Sequence, residues 1–86
     1  MTITPGRTVL YRICEYDIQG REFKGNRPYV GDIVPLIVVR VWDKEFGDKP
    51  GVNGQLILDC TEPGTLWVAS KGEGDGLGQW FWPPRV

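Results

Sequence analysis

The chain predicts an all-β fold, with short strands curled into one small barrel and at most one short helix, in the first long loop. Three observations carry this. Five segments alternate in polarity or are dense in β-branched residues, and clusters of Gly, Pro and Asn separate them. Twelve Gly and seven Pro among 86 residues argue against a helical bundle. Four Trp, three Tyr and three Phe supply the bulk that so short a chain needs for a core. No repeat or linker divides the sequence, so residues 1–86 read as a single domain.

The elements follow in order. Thr8 to Cys14 alternates, with Val9, Tyr11 and Ile13 on one face and Leu10, Arg12 and Cys14 on the other; Arg12 marks the wet side. Glu15 to Val30 is the least regular stretch, and Asp17 is placed to cap a short helix over Ile18–Lys24, weakened by Gly20. Leu36 to Trp42 is the strongest strand signal. Arg40 again marks the wet face, which turns Ile37, Val39 and Val41 inward and Trp42 outward. Gly47 to Gly51 and Val52-Asn53-Gly54 read as turn chemistry. Gln55 to Cys60 directs Leu56, Leu58 and Cys60 inward. Glu62-Pro63-Gly64 reads as a tight turn before a strand over Leu66–Ser70, whose Val68 belongs to the core. Lys71 to Gly78 reads as a mobile connector. Gln79 to Trp82 is a last short strand, ended by Pro83-Pro84. Five short strands with a long first loop and tight later turns favour an SH3-like barrel, with an OB-like barrel as the second choice.

The composition excludes several chemistries. There is no His, which removes Ser-His-Asp and Cys-His catalysis and every His-ligated metal. Cys14 and Cys60 lie far apart, and nothing marks an oxidising compartment, so both are expected as free thiols: Cys60 as a small core residue, Cys14 on the accessible face. The glycine-rich run at Gly72, Gly74, Gly76 and Gly78 lacks a Gly-Lys-Ser/Thr ending and carries Glu73 and Asp75, which would repel phosphate and are too few to hold calcium. The carboxylate pairs Asp59/Glu62 and Asp43/Glu45 carry no sign of burial. The expectation is therefore no enzyme, no metal, no cofactor and no small-molecule substrate. The start of the sequence has no apolar signal region, and the run Ile33 to Val39 is far too short to span a membrane. The expected place is the cytoplasm.

Two surfaces are left as candidates for binding. Arg21, Phe23, Lys24, Arg27 and Tyr29 form a locally basic, aromatic stretch of the kind that holds single-stranded nucleic acid. Against it, residues 44–86 hold four basic and six acidic side chains, and the whole chain has a net charge of -1. The second surface is aromatic. Trp42 shares a face with Arg40, Trp67 with Lys71, and Trp80 with Trp82. A small core cannot easily hide all four Trp, and Trp beside Arg at a surface is the composition of a protein-binding hot spot. Arg40, Trp42, Trp67, and one of Trp80 or Trp82 are the expected patch.

From Gly25 onward the chain reads GD-x-x-P-x-IVVRVW, then VNGQLILD, then LWVAS, then GQWFWP. This resembles a group of small uncharacterised β-barrel proteins encoded by actinobacterial phages, over roughly Gly25 to Pro83. The chain departs from that pattern at Cys60, where the group has Gly, and in a short loop over Glu15–Gly25. The resemblance implies a phage accessory protein in the host cytoplasm or associated with the virion, and it supplies no activity. The expected partner is a host protein, another phage protein or a second copy, with nucleic acid as the alternative.

Overall fold

The computed structural model describes residues 2–84. In chain order the elements are β1 (Thr8–Arg12), α1 (Glu15–Ile18), β2 (Lys24–Gly25), β3 (Ile33–Phe46), β4 (Lys49–Ile57), β5 (Cys60–Glu62), β6 (Thr65–Gly72) and β7 (Trp80–Phe81). Five strands form one antiparallel sheet in the order β6-β4-β3-β1-β7, curled as a half-barrel. β2 and β5 pair separately as a short ribbon. The fold is all-β with one four-residue helix in the first long loop.

The inner face is built in rows. Val9, Leu36, Leu56 and Leu66 are register partners across β1, β3, β4 and β6, and all four are buried. A second row joins Val38, Gly54 and Val68. Tyr11 faces Trp80 across the β1–β7 pair, and Ile3, Ile13, Ile18, Val52 and Leu58 complete the core. Burying a side chain of this size stabilises the fold by roughly 1.5–3 kcal/mol. The alternation read for β1 holds, because its five pairs with β3 run without interruption.

β3 behaves differently. Leu36 and Val38 point inward, while Ile37 and Val39 point out, Val39 at 51% exposure. The cause is a bulge. The register steps from Val38↔Gly54 to Arg40↔Asn53, leaving Val39 unopposed. One extra residue reverses the facing of everything beyond it. Leu36 and Val38 therefore lie inside while Arg40 and Trp42, of the same parity, lie outside. Val41 packs half-buried against the core.

β6 carries the matching irregularity, stepping from Gly54↔Val68 to Val52↔Lys71. Both bulges meet at Asn53. Its Oδ1 accepts the Ser70 N–H at 2.8 Å and the Trp42 indole N–H at 3.0 Å. Ser70 itself takes φ 56, a left-handed conformation that the bulge imposes. Val52-Asn53-Gly54 is thus mid-strand rather than a turn. Gly54 is there for space, since a Cβ would run into the Ile37 carbonyl. The turn lies earlier, between Phe46 and Lys49, where Gly47 takes φ 70.

The helix also sits earlier than Ile18–Lys24. α1 starts after Cys14, and Asp17 is its third residue, not its cap: the carboxylate reaches back to accept the Cys14 N–H at 2.9 Å. The connector over Lys71–Gly78 is tied down. Glu73 bridges Trp80, Gly74 N–H donates to the Trp80 carbonyl, and Gly78 N–H donates to the Arg12 carbonyl.

Two predictions follow from the bulges. Val38→Asp places a charge in the core and should abolish cooperative unfolding, whereas Val39→Asp should shift stability by no more than about 0.5 kcal/mol. Urea melts of the pair read the facing directly. Asn53→Ala strips the Ser70 N–H and the Trp42 indole of their acceptor and should cost about 0.5–1.5 kcal/mol in the same assay.

Candidate protein-binding face

The outer face of the sheet is unusually apolar. Thr8, Ile37, Gln55 and Trp67 are register partners in one outward row over β1, β3, β4 and β6. Trp67 is 51% exposed, and Ile37, Val39 and Ile57 are exposed beside it. At one end of this surface the Arg40 guanidinium lies 4.1 Å from the centre of the Trp42 ring. That stacking, together with the indole bond to Asn53, fixes Trp42 in place, 37% exposed. Gln55, between Ile37 and Trp67, has a side-chain carbonyl that is shut off from solvent and has no hydrogen-bond partner among the described residues. A buried acceptor left in that state is costly.

The structure brings Arg40, Trp42 and Trp67 to this one face. It does not bring the other two tryptophans there. Trp80 is 1% exposed and lies in the core, opposite Tyr11. Trp82 packs half-buried against the core, edge-on to Trp80 with ring centres 5.7 Å apart, and carries the Arg7 guanidinium over its ring. The alternation across Phe81 was legible, but not that this face of β7 closes the core. Its neighbour β1 decides that: Trp80 is paired with the inward-facing Tyr11.

The basic loop is only partly assembled. Arg21, Phe23, Lys24 and Arg27 line one broad cavity of about 820 Å³, but Glu22 and Glu62 line it too. Lys24 pairs with Glu62 at 3.3 Å. Arg27 stacks on Phe23 and donates to the Arg21 carbonyl, while Arg21 donates to the Asp17 carbonyl. Tyr29 lies on an adjoining hollow that it shares with Arg27, beside Asp32 and Asp59.

One polar node was missed by sequence reasoning. Asp17 is buried, and its Oδ2 accepts from the Tyr11 hydroxyl at 2.8 Å, the Cys14 N–H and the Cys14 thiol at 3.2 Å. The signal was available: an inward-facing Tyr needs an acceptor, and Asp17 is the first carboxylate past the strand end able to fold back over it. Burial, then the bond to the Asp17 carboxylate, push the Tyr11 phenol well above its ordinary value of 10.0. Both cysteines are free thiols and half-buried. Cys60 donates to the Pro63 carbonyl and packs against the core. Asp59 accepts from Asn26, so Asp59 and Glu62 serve separate partners.

Compared with protein-family models, curated proteins and solved structures, the chain matches none of them. No helix among the described residues is long and apolar enough to cross a membrane.

The Tyr11 shift has a definite sign. Below pH 10 the phenol is protonated in both folded and unfolded chains. Above it the unfolded chain loses the proton and the folded one keeps it, so stability falls as pH rises. The expected slope from this group is about 1.4 kcal/mol per pH unit. Alkaline melts should be correspondingly shallower in Tyr11→Phe, and the Tyr11 phenolate should absorb only as the fold is lost.

Proposed function

We propose that the protein is a non-enzymatic phage accessory protein that acts by binding another protein through the outer face of its sheet. The observation that carries this reading is the run of exposed Ile37, Val39, Ile57 and Trp67 beside the stacked Arg40–Trp42 pair. A small domain gains nothing from holding such a surface in water, and a rigid indole backed by a guanidinium is the usual anchor of a protein interface. The phage origin and the host cytoplasm rest on the sequence resemblance. The partner classes are a host protein, another phage protein or a second copy.

Nucleic-acid binding by the Arg21–Arg27 cavity is the rival reading, favoured by the gathering of Arg21, Phe23, Lys24 and Arg27. Glu22 and Glu62 in the same cavity oppose a phosphate backbone there. The test is co-purification from host cells with the intact chain, Trp67→Ala and the double variant Lys24→Ala/Arg27→Ala, each also melted. Trp67→Ala should keep its melting temperature and weaken retention of the partner by about 2 kcal/mol or more, some thirtyfold in Kd. Retention unchanged in Trp67→Ala but lost in the double variant, with a steep salt dependence, would move the site to the loop.

A further inference from the structure

β6 is an edge strand, and its free side faces a groove. The Leu58 N–H donates to the Gly64 carbonyl at 2.9 Å, and Gly54↔Val68, Gln55↔Trp67, Leu56↔Leu66 and Ile57↔Thr65 continue the same register. In an antiparallel ladder the bonding pairs alternate. Leu66 and Val68 therefore turn their N–H and C=O groups to β4, and Thr65, Trp67 and Ala69 turn theirs to the open side. Among the described residues none of those outward backbone groups has a hydrogen-bond partner in a turn, loop or side chain. Across the gap stands α1. Trp67, Val68, Ala69 and Lys71 form one bank of a groove of about 290 Å³, and Tyr16, Asp17 and Arg21 form the other. That inward and outward residues of β6 line it alike places the groove along the strand's edge. At one end the Lys71 ammonium lies 5.9 Å from the centre of the Tyr16 ring.

We propose that this groove takes an extended peptide that pairs with β6 as an added strand and carries an acidic side chain toward Arg21 and Lys71. The inference rests on the protein-binding reading above and names its partner chemistry. Strand addition is what unpaired edge groups offer, with affinity from the main chain and selectivity from the flanking side chains. The charge follows from the banks. Arg21 and Lys71 supply two cations, while the carboxylate facing them, Asp17, is buried and committed to Tyr11 and Cys14. A folded sheet edge from a second copy fits less well, because α1 stands where its neighbouring strand would lie.

The experiment is selection of blocked random peptides, matched to the eight residues of β6, on the immobilised full chain. The key variant is Ala69→Pro, which removes one outward N–H while leaving the β4 ladder intact, a placement proline tolerates on an edge. Its melting curve is taken alongside, and amide exchange is read on isotope-labelled wild type. The expected result is enrichment of β-branched peptides with Asp or Glu, and slowed exchange at the Trp67 and Ala69 amides when they bind. Binding should weaken roughly tenfold or more in a folded Ala69→Pro and likewise in Lys71→Glu. If Ala69→Pro unfolds, the exchange readout on wild type decides alone. No enrichment, enrichment of basic peptides, or binding without protection at those amides would overturn the proposal. So would a dimer of the free chain that Ala69→Pro dissolves. A partner lost in Trp67→Ala or Trp42→Ala but retained by Ala69→Pro would leave the outer-face reading standing and remove the edge. Selected peptides that depend on Ala69 yet ignore Trp42→Ala would do the reverse.

Discussion

The side chain of Asn53 holds the sheet together at the point where it would otherwise lose register. β3 and β6 each carry one residue too many beside it, Val39 on one side and the Ala69–Ser70 step on the other. A ladder interrupted on both flanks leaves backbone donors without acceptors, and the Asn53 carbonyl takes up the Ser70 N–H. The bulges sharpen the local twist, which is how a sheet of five strands curls around so small a core. Gly54, next along β4, lets the Ile37 carbonyl approach closely at the same bend. Trp42 is recruited to the junction by its indole N–H, so one tryptophan of the outer face is braced by the bend itself.

A buried polar node, at Asp17, sets the open side of the half-barrel. Asp17 gathers the Tyr11 hydroxyl and the Cys14 amide and thiol on one oxygen. This pins the four-residue helix to the end of β1, although a helix so short has almost no stability of its own. Once pinned, α1 stands opposite the free edge of β6 and makes a groove from what would be an exposed margin. Tyr11 is doubly committed, to Asp17 through its hydroxyl and to the core as the register partner of Trp80. The indole N–H of Trp80 is itself buried without a partner among the described residues.

Period-two reasoning succeeds where strands are uninterrupted and fails at bulges. β1 runs straight against β3, and Val9, Tyr11 and Ile13 face inward as their alternation says. In β3, Arg40 is a true marker of the wet face, yet it lies beyond the bulge from Leu36 and Val38, so extending its parity backward inverts them. Asn53 and Gly54 carry the composition of a turn, and only the neighbouring strands reveal that they relieve crowding within one. Asp17 has the residue type of a helix cap, and its partner Tyr11 lies six residues earlier on the strand, outside any local helix signal. Of the tryptophans, Trp42 and Trp67 are legible as outward. Trp80 is not, because what buries it is the pairing of β7 with β1.

The same geometry explains why the surface is left unfinished where it is. A residue inserted into β3 reverses facing beyond it, so an apolar run long enough for one continuous inner stripe is divided between two faces. Ile37 and Val39 become the surplus, and they emerge beside Trp67 because the register fixes Ile37, Gln55 and Trp67 in one row. The bulge in β6 meanwhile falls at Ala69–Ser70, at the end of the stretch whose outward amides face the groove. The two candidate surfaces therefore share Trp67: its indole belongs to the apolar face and its backbone to the free edge. A partner lying across that residue could take both kinds of contact at once, side-chain burial against the sheet and main-chain pairing along its margin.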